Sequence, residues 1–377
     1  MNQNKSYFDF VLPTKVVFGP GLRHKVVEEI VSRAFKRVGI VTTAEILDLG
    51  LTEGLTEKLK ENEREIEFFS DVTSNPHLST ISAGYEALKD FEPDCLIGFG
   101  GGSAIDATKA ISLCLANQEE DVVKLDRKDE RPEPCVPYFA VPTTSGTGSE
   151  VDYWAVLSDP GTNRKLSIGS PEMAPLTAVI DPELTRSLPP ELTFFTGVDA
   201  FSHALEAYFS SESNELSDLL SVKAMKLVFR SLETAVEDGG DVSARGDLAL
   251  ASTLAGAAMQ HVGLGLIHAM SHQVSGFYDT NHGLANARLT LPVLDYNRIE
   301  VPGKFEELED KLEGSLREKI EGTFEIRDLS DYSVKVNEED LPEMVDRAIS
   351  NVNAETNPRD PSREDIEGLY KESFVIG

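Results

Sequence analysis

A chain of 377 residues that is 40% hydrophobic and 27% charged has apolar material for two compact cores and is too rich in it to be disordered. Its 65 acidic against 35 basic side chains leave a net charge of −30, a field that repels nucleic acid and anionic membranes and argues against both as partners. Cys95, Cys114 and Cys135 are the only cysteines and form no CxxC pair, which excludes a disulfide framework and a cysteine zinc site and points to a reducing compartment.

No stretch reaches the roughly 18 uninterrupted apolar residues of a membrane span, and the opening MNQNK begins no long apolar run. A cytoplasmic location is the expectation. The acidic residues are dispersed over 61–67, 119–133, 212–218, 306–313 and 338–346 instead of forming one tail. Such a coat suits concentrated salt, where the Debye length contracts to about 3 Å at 1 M. A halophilic protein is expected on this ground, an ordinary acidic enzyme being the alternative.

Along the chain, the first half alternates strand-like runs at 38–42 and 95–99 with amphipathic helical stretches at 51–62 and 77–90, the pattern of a parallel sheet wrapped by helices. The glycine-rich run GFGGGS at 98–103 follows a strand and opens a helical stretch over 104–115. Its small residues let backbone N–H groups approach a pyrophosphate at a helix N-terminus. Alternatively, Ser103 with Asp106 three residues on is a capping box. The run is neither GxGxxG nor GxxxxGK[ST], so a Rossmann fingerprint or an ATP-binding P-loop is not supported. PTTSGTGSE at 142–150 reads as a loop rich in hydroxyls.

Beyond the paired prolines of RSLPP at 186–190 the texture becomes helical, in long Ala/Leu-rich segments at 198–210, 218–237 and 247–261. Two domains are expected, an α/β dinucleotide-binding domain with a parallel sheet over 1–187 and an all-helical metal-binding domain over 188–377. In the second, Asp199 and His203 stand four apart, so on a helix they share a face. His268 and His272 repeat the spacing, and His282 follows. One carboxylate with three imidazoles suits Fe²⁺ or Zn²⁺, whereas Mg²⁺ and Ca²⁺ ask mostly for oxygen. By spacing alone, such pairs serve equally well as ordinary packing on helices.

Seven motifs in order, PTKVVFGPG at 13–21, GGGS at 100–103, PTTSGTGSE at 142–150, GVDA at 197–200 with His203, GLIHAMSH at 265–272, HGLANA at 282–287 and NPR at 357–359, resemble the iron-dependent (group III) alcohol dehydrogenases. The wording around His268 and His282 is nearest the lactaldehyde reductase (propanediol oxidoreductase) type. The resemblance implies that Asp199, His203, His268 and His282 ligate one metal ion, with His272 close by and outside the ligand set. It implies further that Gly100, Gly101, Gly102 and Ser103, together with Thr143, Thr144 and Thr147, line a nicotinamide cofactor, that Asn75 lies near its nicotinamide half, and that Lys165 reaches it. Gln273 stands where relatives often carry Pro, and Arg288 and Thr290 interrupt a usually apolar run, so no particular substrate is carried over.

An acid after the first strand binds ribose hydroxyls and repels a 2′-phosphate. Thr43 occupies that place, so NADP(H) is expected to serve as well as NAD(H), or better. The expected reaction is hydride transfer between an alcohol carbon and nicotinamide, with the alcohol oxygen on the metal and His272 relaying its proton. The expected partners are a small alcohol or aldehyde and further copies of the chain, in a homodimer or larger assembly. The alternatives are a dehydroquinate synthase-like lyase, which uses NAD and a metal, and a non-catalytic nicotinamide-binding protein.

Overall fold

Near-continuous runs of β-branched and small apolar residues, buried on both sides, are the material of parallel strands covered by helices. A computed structural model of the protein describes residues 7–125 and 134–377. The segment 126–133, with the end of the acidic stretch at 119–133, and the opening MNQNK lie outside the described residues.

The chain divides into two compact units, Leu12–Leu188 and Pro189–Gly377, the second joined by the residues up to Val11. In the first unit six parallel strands form one sheet: β1 (Lys15–Phe18), β2 (Arg37–Val41), β3 (Glu65–Phe69), β4 (Cys95–Gly100), β5 (Tyr138–Pro142) and β8 (Thr177–Ile180), in the order β3-β2-β4-β5-β8-β1. Between β5 and β8 the chain makes an antiparallel hairpin, β6 (Trp154–Asp159) and β7 (Arg164–Gly169). The helices of this unit are α1 (Lys25–Ser32), α2 (Ala44–Asp48), α3 (Glu53–Glu61), α4 (Leu78–Leu88), α5 (Gly102–Asn117) and α6 (Val122–Leu125).

The period of two along a strand separates the two faces of the sheet. Cys95, Ile97 and Phe99 of β4 pack with Val26 and Ile30 of α1 and Leu55 and Leu59 of α3. Leu96 faces the other way, against Ile81 and Leu88 of α4 and Ile111 of α5.

In the second unit the helices are α7 (Pro190–Phe209), α8 (Glu215–Glu237), α9 (Val242–Val262), α10 (Leu266–Tyr278), α11 (His282–Arg298), α12 (Pro302–Leu312), α13 (Leu316–Phe324), α14 (Leu341–Ile349) and α15 (Arg363–Ser373). Pro190 at the first position of α7 supplies a helical φ where no N–H is needed. Beyond its first turn nearly every residue of α7 is buried, as for a helix at the centre of a bundle. This unit is not wholly helical: β9 (Lys335–Val336) pairs in parallel with β10 (Val375–Ile376). Two-residue strands are too short to produce a sequence period, and the expectation of an all-helical domain is corrected to that extent. No single described helix is long and apolar enough to cross a membrane.

Candidate functional site

The central helix α7 carries Asp199, His203 and Glu206, at i, i+4 and i+7, all buried. These spacings put the three on one stripe of a helix. His268 stands in the first turn of α10, and His282 is the first residue of α11, where Asn281 caps the helix by accepting from Leu284 N–H at 3.2 Å. His268 Nε2, His282 Nε2 and His203 Nδ1 lie 3.7, 3.6 and 3.7 Å from the same oxygen, Asp199 Oδ1.

Asp199, His268 and His282 offer ligand atoms that all lie within 4.8 Å of one another. His203 adjoins them, its ring stacked on that of His268 at 4.3 Å between centroids. Separations near 3.6 Å are too long for hydrogen bonds. Two donors each about 2.1 Å from one ion, at a tetrahedral angle, stand about 3.4 Å apart. The donor set and its spacing therefore fit a first-row divalent ion. His272 adjoins the same cluster: its ring centroid is 5.3 Å from that of His282 and 6.1 Å from that of His268.

Two further residues hold this group in place. Glu206 Oε2 accepts from His268 Nδ1 at 2.6 Å, which fixes the proton on Nδ1 and turns the Nε2 lone pair toward Asp199. The same carboxylate accepts from the backbone N–H of Ile267 (2.5 Å) and His268 (3.3 Å), donors that α10 leaves open at its N-terminus. Asn286 on α11 donates to Asp199 Oδ1 at 2.9 Å. Burial pulls the His268 pKa down, but the hydrogen bond to Glu206 and the negative charges of Asp199 and Glu206 outweigh it and raise the value to about 9. A divalent ion must displace that proton, so its uptake releases one.

Glu206 was legible in principle, because it extends the stripe of Asp199 and His203 by one turn. Asn286 was legible in the same way, since it stands four residues after His282 on α11. Asn357, from the NPR motif, also proves structural: its Oδ1 accepts from Leu266 N–H (3.3 Å) at the start of α10, and its amide pairs with Asn297. Arg288 donates to the carbonyls of Leu329 and Tyr332, and Thr290 to that of Asn286. The two residues that break the apolar run thus serve local packing.

In the first unit the chain turns to one side after β2 and to the other after β4, so the loops that follow these adjacent strands flank the topological switch point, where open α/β sheets bind ligands. Thr43 lies two residues past β2 and caps α2, accepting from Ile46 N–H at 3.4 Å. Gly100 ends β4, Gly101 links it to Gly102 and Ser103 at the start of α5, and Thr143 N–H donates to Gly100 O at 2.9 Å. A Cβ on Gly101 would meet Thr144 at 3.1 Å and one on Gly102 would meet Thr147 at 2.5 Å. The two loops are thus in contact, backbone against threonine side chain. Lys165 of β7 donates to Asn75 Oδ1 at 2.8 Å, so those two distant positions also meet.

The capping-box reading of Ser103 is overturned. The helix begins one residue earlier, at Gly102, with Gly101 as a cap that makes no side-chain bond. The Asp106 carboxylate instead accepts from Ser149 Oγ and Val156 N–H, away from the helix end.

The first unit, a parallel sheet with a glycine-rich loop at its switch point, has the features of a dinucleotide-binding domain, and the second gathers a carboxylate and imidazoles, the donors of a transition-metal centre; together they are the marks of a metal-dependent, nicotinamide-linked oxidoreductase. The family model for iron-containing alcohol dehydrogenase matches residues 13–182 and that for the C-terminal part of the Fe-containing alcohol dehydrogenase family matches 193–374, and the chain belongs to this family. It is 33% identical over 368 residues to Escherichia coli lactaldehyde reductase, covering 94% of this chain and 96% of that protein. Alcohol dehydrogenase 4 of Schizosaccharomyces pombe is 32% identical over 378 residues, 97% of this chain and 89% of that protein. The crystal structure of a 1,3-propanediol oxidoreductase superposes with a TM-score of 0.90 at 31% identity, covering 98% of this chain and 100% of that one. The protein is an alcohol dehydrogenase/aldehyde reductase that uses a divalent metal and a nicotinamide cofactor, and the lyase and non-catalytic alternatives fall away.

Proposed function

We propose that Asp199, His203, His268 and His282 hold the divalent ion, Fe²⁺ or Zn²⁺, and that the loops bearing Gly100–Ser103 and Thr143–Thr147, with Asn75 and Lys165, hold the nicotinamide dinucleotide. The observation that carries the reading is the approach of three imidazole nitrogens to Asp199 Oδ1 at 3.6–3.7 Å. The names of the relatives favour small substrates of the lactaldehyde and propanediol kind.

When bound, the ion supplies Lewis acidity toward a hydroxyl or carbonyl oxygen, and the nicotinamide gives or takes the hydride. The chain's own groups prepare the site for this. Glu206 keeps His268 in one tautomer and orientation, Asn286 steadies the Asp199 carboxylate, and burial of the cluster excludes water. His272, beside the partly exposed His282, passes the alcohol proton toward solvent.

Metal analysis of the purified chain, joined to an alcohol and aldehyde panel, tests this. We expect a bound transition ion, activity lost on chelation and regained with Fe²⁺ or Zn²⁺, and an Asp199→Ala variant that holds no ion. Turnover indifferent to chelation would refute the assignment. His272→Ala should keep the ion and change the pH dependence of kcat; loss of the ion would make His272 a ligand instead.

Thr43, two residues past β2, stands where an acid would repel a 2′-phosphate. Steady-state kinetics should therefore give kcat/KM with NADP(H) at least equal to that with NAD(H), and a strong NAD preference would sink this part of the reading. From the dispersed charge of −30, the thermal midpoint should rise with KCl concentration, and greater stability in dilute buffer would contradict a halophilic adaptation. A homodimer or larger assembly is supported by β1, an edge strand with exposed Val16 and Phe18, and a monomer in sedimentation would rule it out.

A further inference from the structure

The first unit contains a buried ionic cluster outside the sheet's apolar packing. Lys109 of α5 is 0% exposed. Its ammonium donates to Asp152 Oδ1 (2.5 Å), Ser149 Oγ (2.7 Å) and the carbonyl of Trp154 (2.7 Å), with Asp106 Oδ1 at 3.4 Å. Asp106 accepts from Ser149 Oγ and from Val156 N–H at 3.0 Å, and Asp152 accepts from Trp154 N–H at 2.8 Å. An apolar replacement for such a cluster usually costs little in stability, so its presence calls for a role in setting geometry.

The segments it joins indicate which geometry. Lys109 and Asp106 lie on the helix that opens from the glycine-rich loop, Ser149 ends the threonine-rich loop, and Trp154 begins the hairpin that carries Lys165. Ser149 N–H donates to Thr147 Oγ1 at 3.2 Å. The Thr147 side chain in turn fills the space over Gly102, where a Cβ would stand 2.5 Å away. A continuous line of contacts thus runs from Lys109 through Ser149 and Thr147 to the glycine-rich loop.

We propose that Lys109, acting through Ser149, is a positioning residue for the nicotinamide cofactor: it fixes Thr147 against Gly102 and so sets the spacing of the two loops that cradle the pyrophosphate. This rests on the reading of those loops as the cofactor site. With no exposed surface, Lys109 works through position and not by touching the cofactor.

Trp154 is the only tryptophan in the chain, so quenching of its emission by NADPH or NADH reports binding without turnover. Ser149→Ala should weaken binding of the reduced cofactor about tenfold, the worth of one well-made hydrogen bond. Ion content and the alcohol KM at saturating cofactor should stay within about twofold, and Ser149→Thr should restore the affinity. The variant Lys109→Met/Asp106→Asn/Asp152→Asn, which neutralises both carboxylates that face the ammonium and so strands no buried charge, should lose cofactor affinity to the same degree. Thr147→Val reports on the underlying reading. If it weakens binding while Ser149→Ala does not, the role of Lys109 is overturned and the cofactor loops stand. If neither does, the loop assignment and the proposal fall together.

Discussion

Glu206→Ala is expected to lower affinity for the divalent ion by about 10- to 100-fold, the usual consequence of removing a carboxylate that holds a ligating histidine. Two losses add. Without Glu206 nothing fixes the proton on His268 Nδ1, so Nε2 is no longer held as the free donor. The N–H groups of Ile267 and His268, which both bond to this carboxylate, are left buried without it, at a cost of about 1–3 kcal/mol. Glu206→Gln should fall between wild type and Ala, because the amide oxygen still accepts one hydrogen bond but brings no charge. Ion retention against a competing chelator, followed with the thermal midpoint, separates these terms. A Glu206→Ala chain that melts earlier yet holds its ion as tightly as wild type would show that His268 is positioned by α10 alone.

What could be read from the sequence follows from the range over which each signal acts. The i,i+4 pairs Asp199/His203 and His268/His272 are properties of one helix, so their shared faces were legible. That His268 Nε2 comes within 3.7 Å of Asp199 Oδ1 depends on how α10 lies against α7, which no spacing within either helix contains. The alternation of strands and helices in the first unit was legible because β2 and β4 are buried runs flanked by amphipathic helices. The hairpin β6–β7 left no comparable trace: Trp154, Ser158 and Arg164 interrupt its apolar pattern because several of its positions face outward. The alternative capping pattern at Ser103 fails for a different reason. A hydroxyl followed three residues later by an acid satisfies the capping pattern, but Asp106 is drawn into the Lys109 cluster by partners some forty residues away in the chain. The ionic cluster itself is assembled from three segments and is invisible to any local reading.

Gly283→Ala should disable the same centre without touching a ligand. A Cβ at this position would stand 2.1 Å from the carbonyl oxygen of Phe195 and 2.6 Å from its carbonyl carbon. Those are backbone atoms of α7, one turn before Asp199, and cannot rotate aside. Relief of the contact needs about 1 Å of separation between the first turn of α11 and α7, given an ordinary carbon–oxygen contact of roughly 3.2–3.5 Å. His282 is the neighbouring residue, and metal sites tolerate ligand displacements of only about 0.2 Å. Overpacking of this kind costs typically about 1–3 kcal/mol of stability. The larger effect is expected in function, with ion occupancy reduced and turnover down by about 100-fold or more, as for a site loosened by an ångström. Gly322→Ala in α13, where a new Cβ meets nothing within 4 Å, is the matched control and should be neutral or stabilising by up to about 1 kcal/mol. Ion content and melting measured on both variants decide the point. A Gly283→Ala chain that melts early but keeps its ion and its kcat would mean that α11 can retreat while His282 still reaches Asp199, and the close approach of the two helices would then be a packing feature with no bearing on the metal centre.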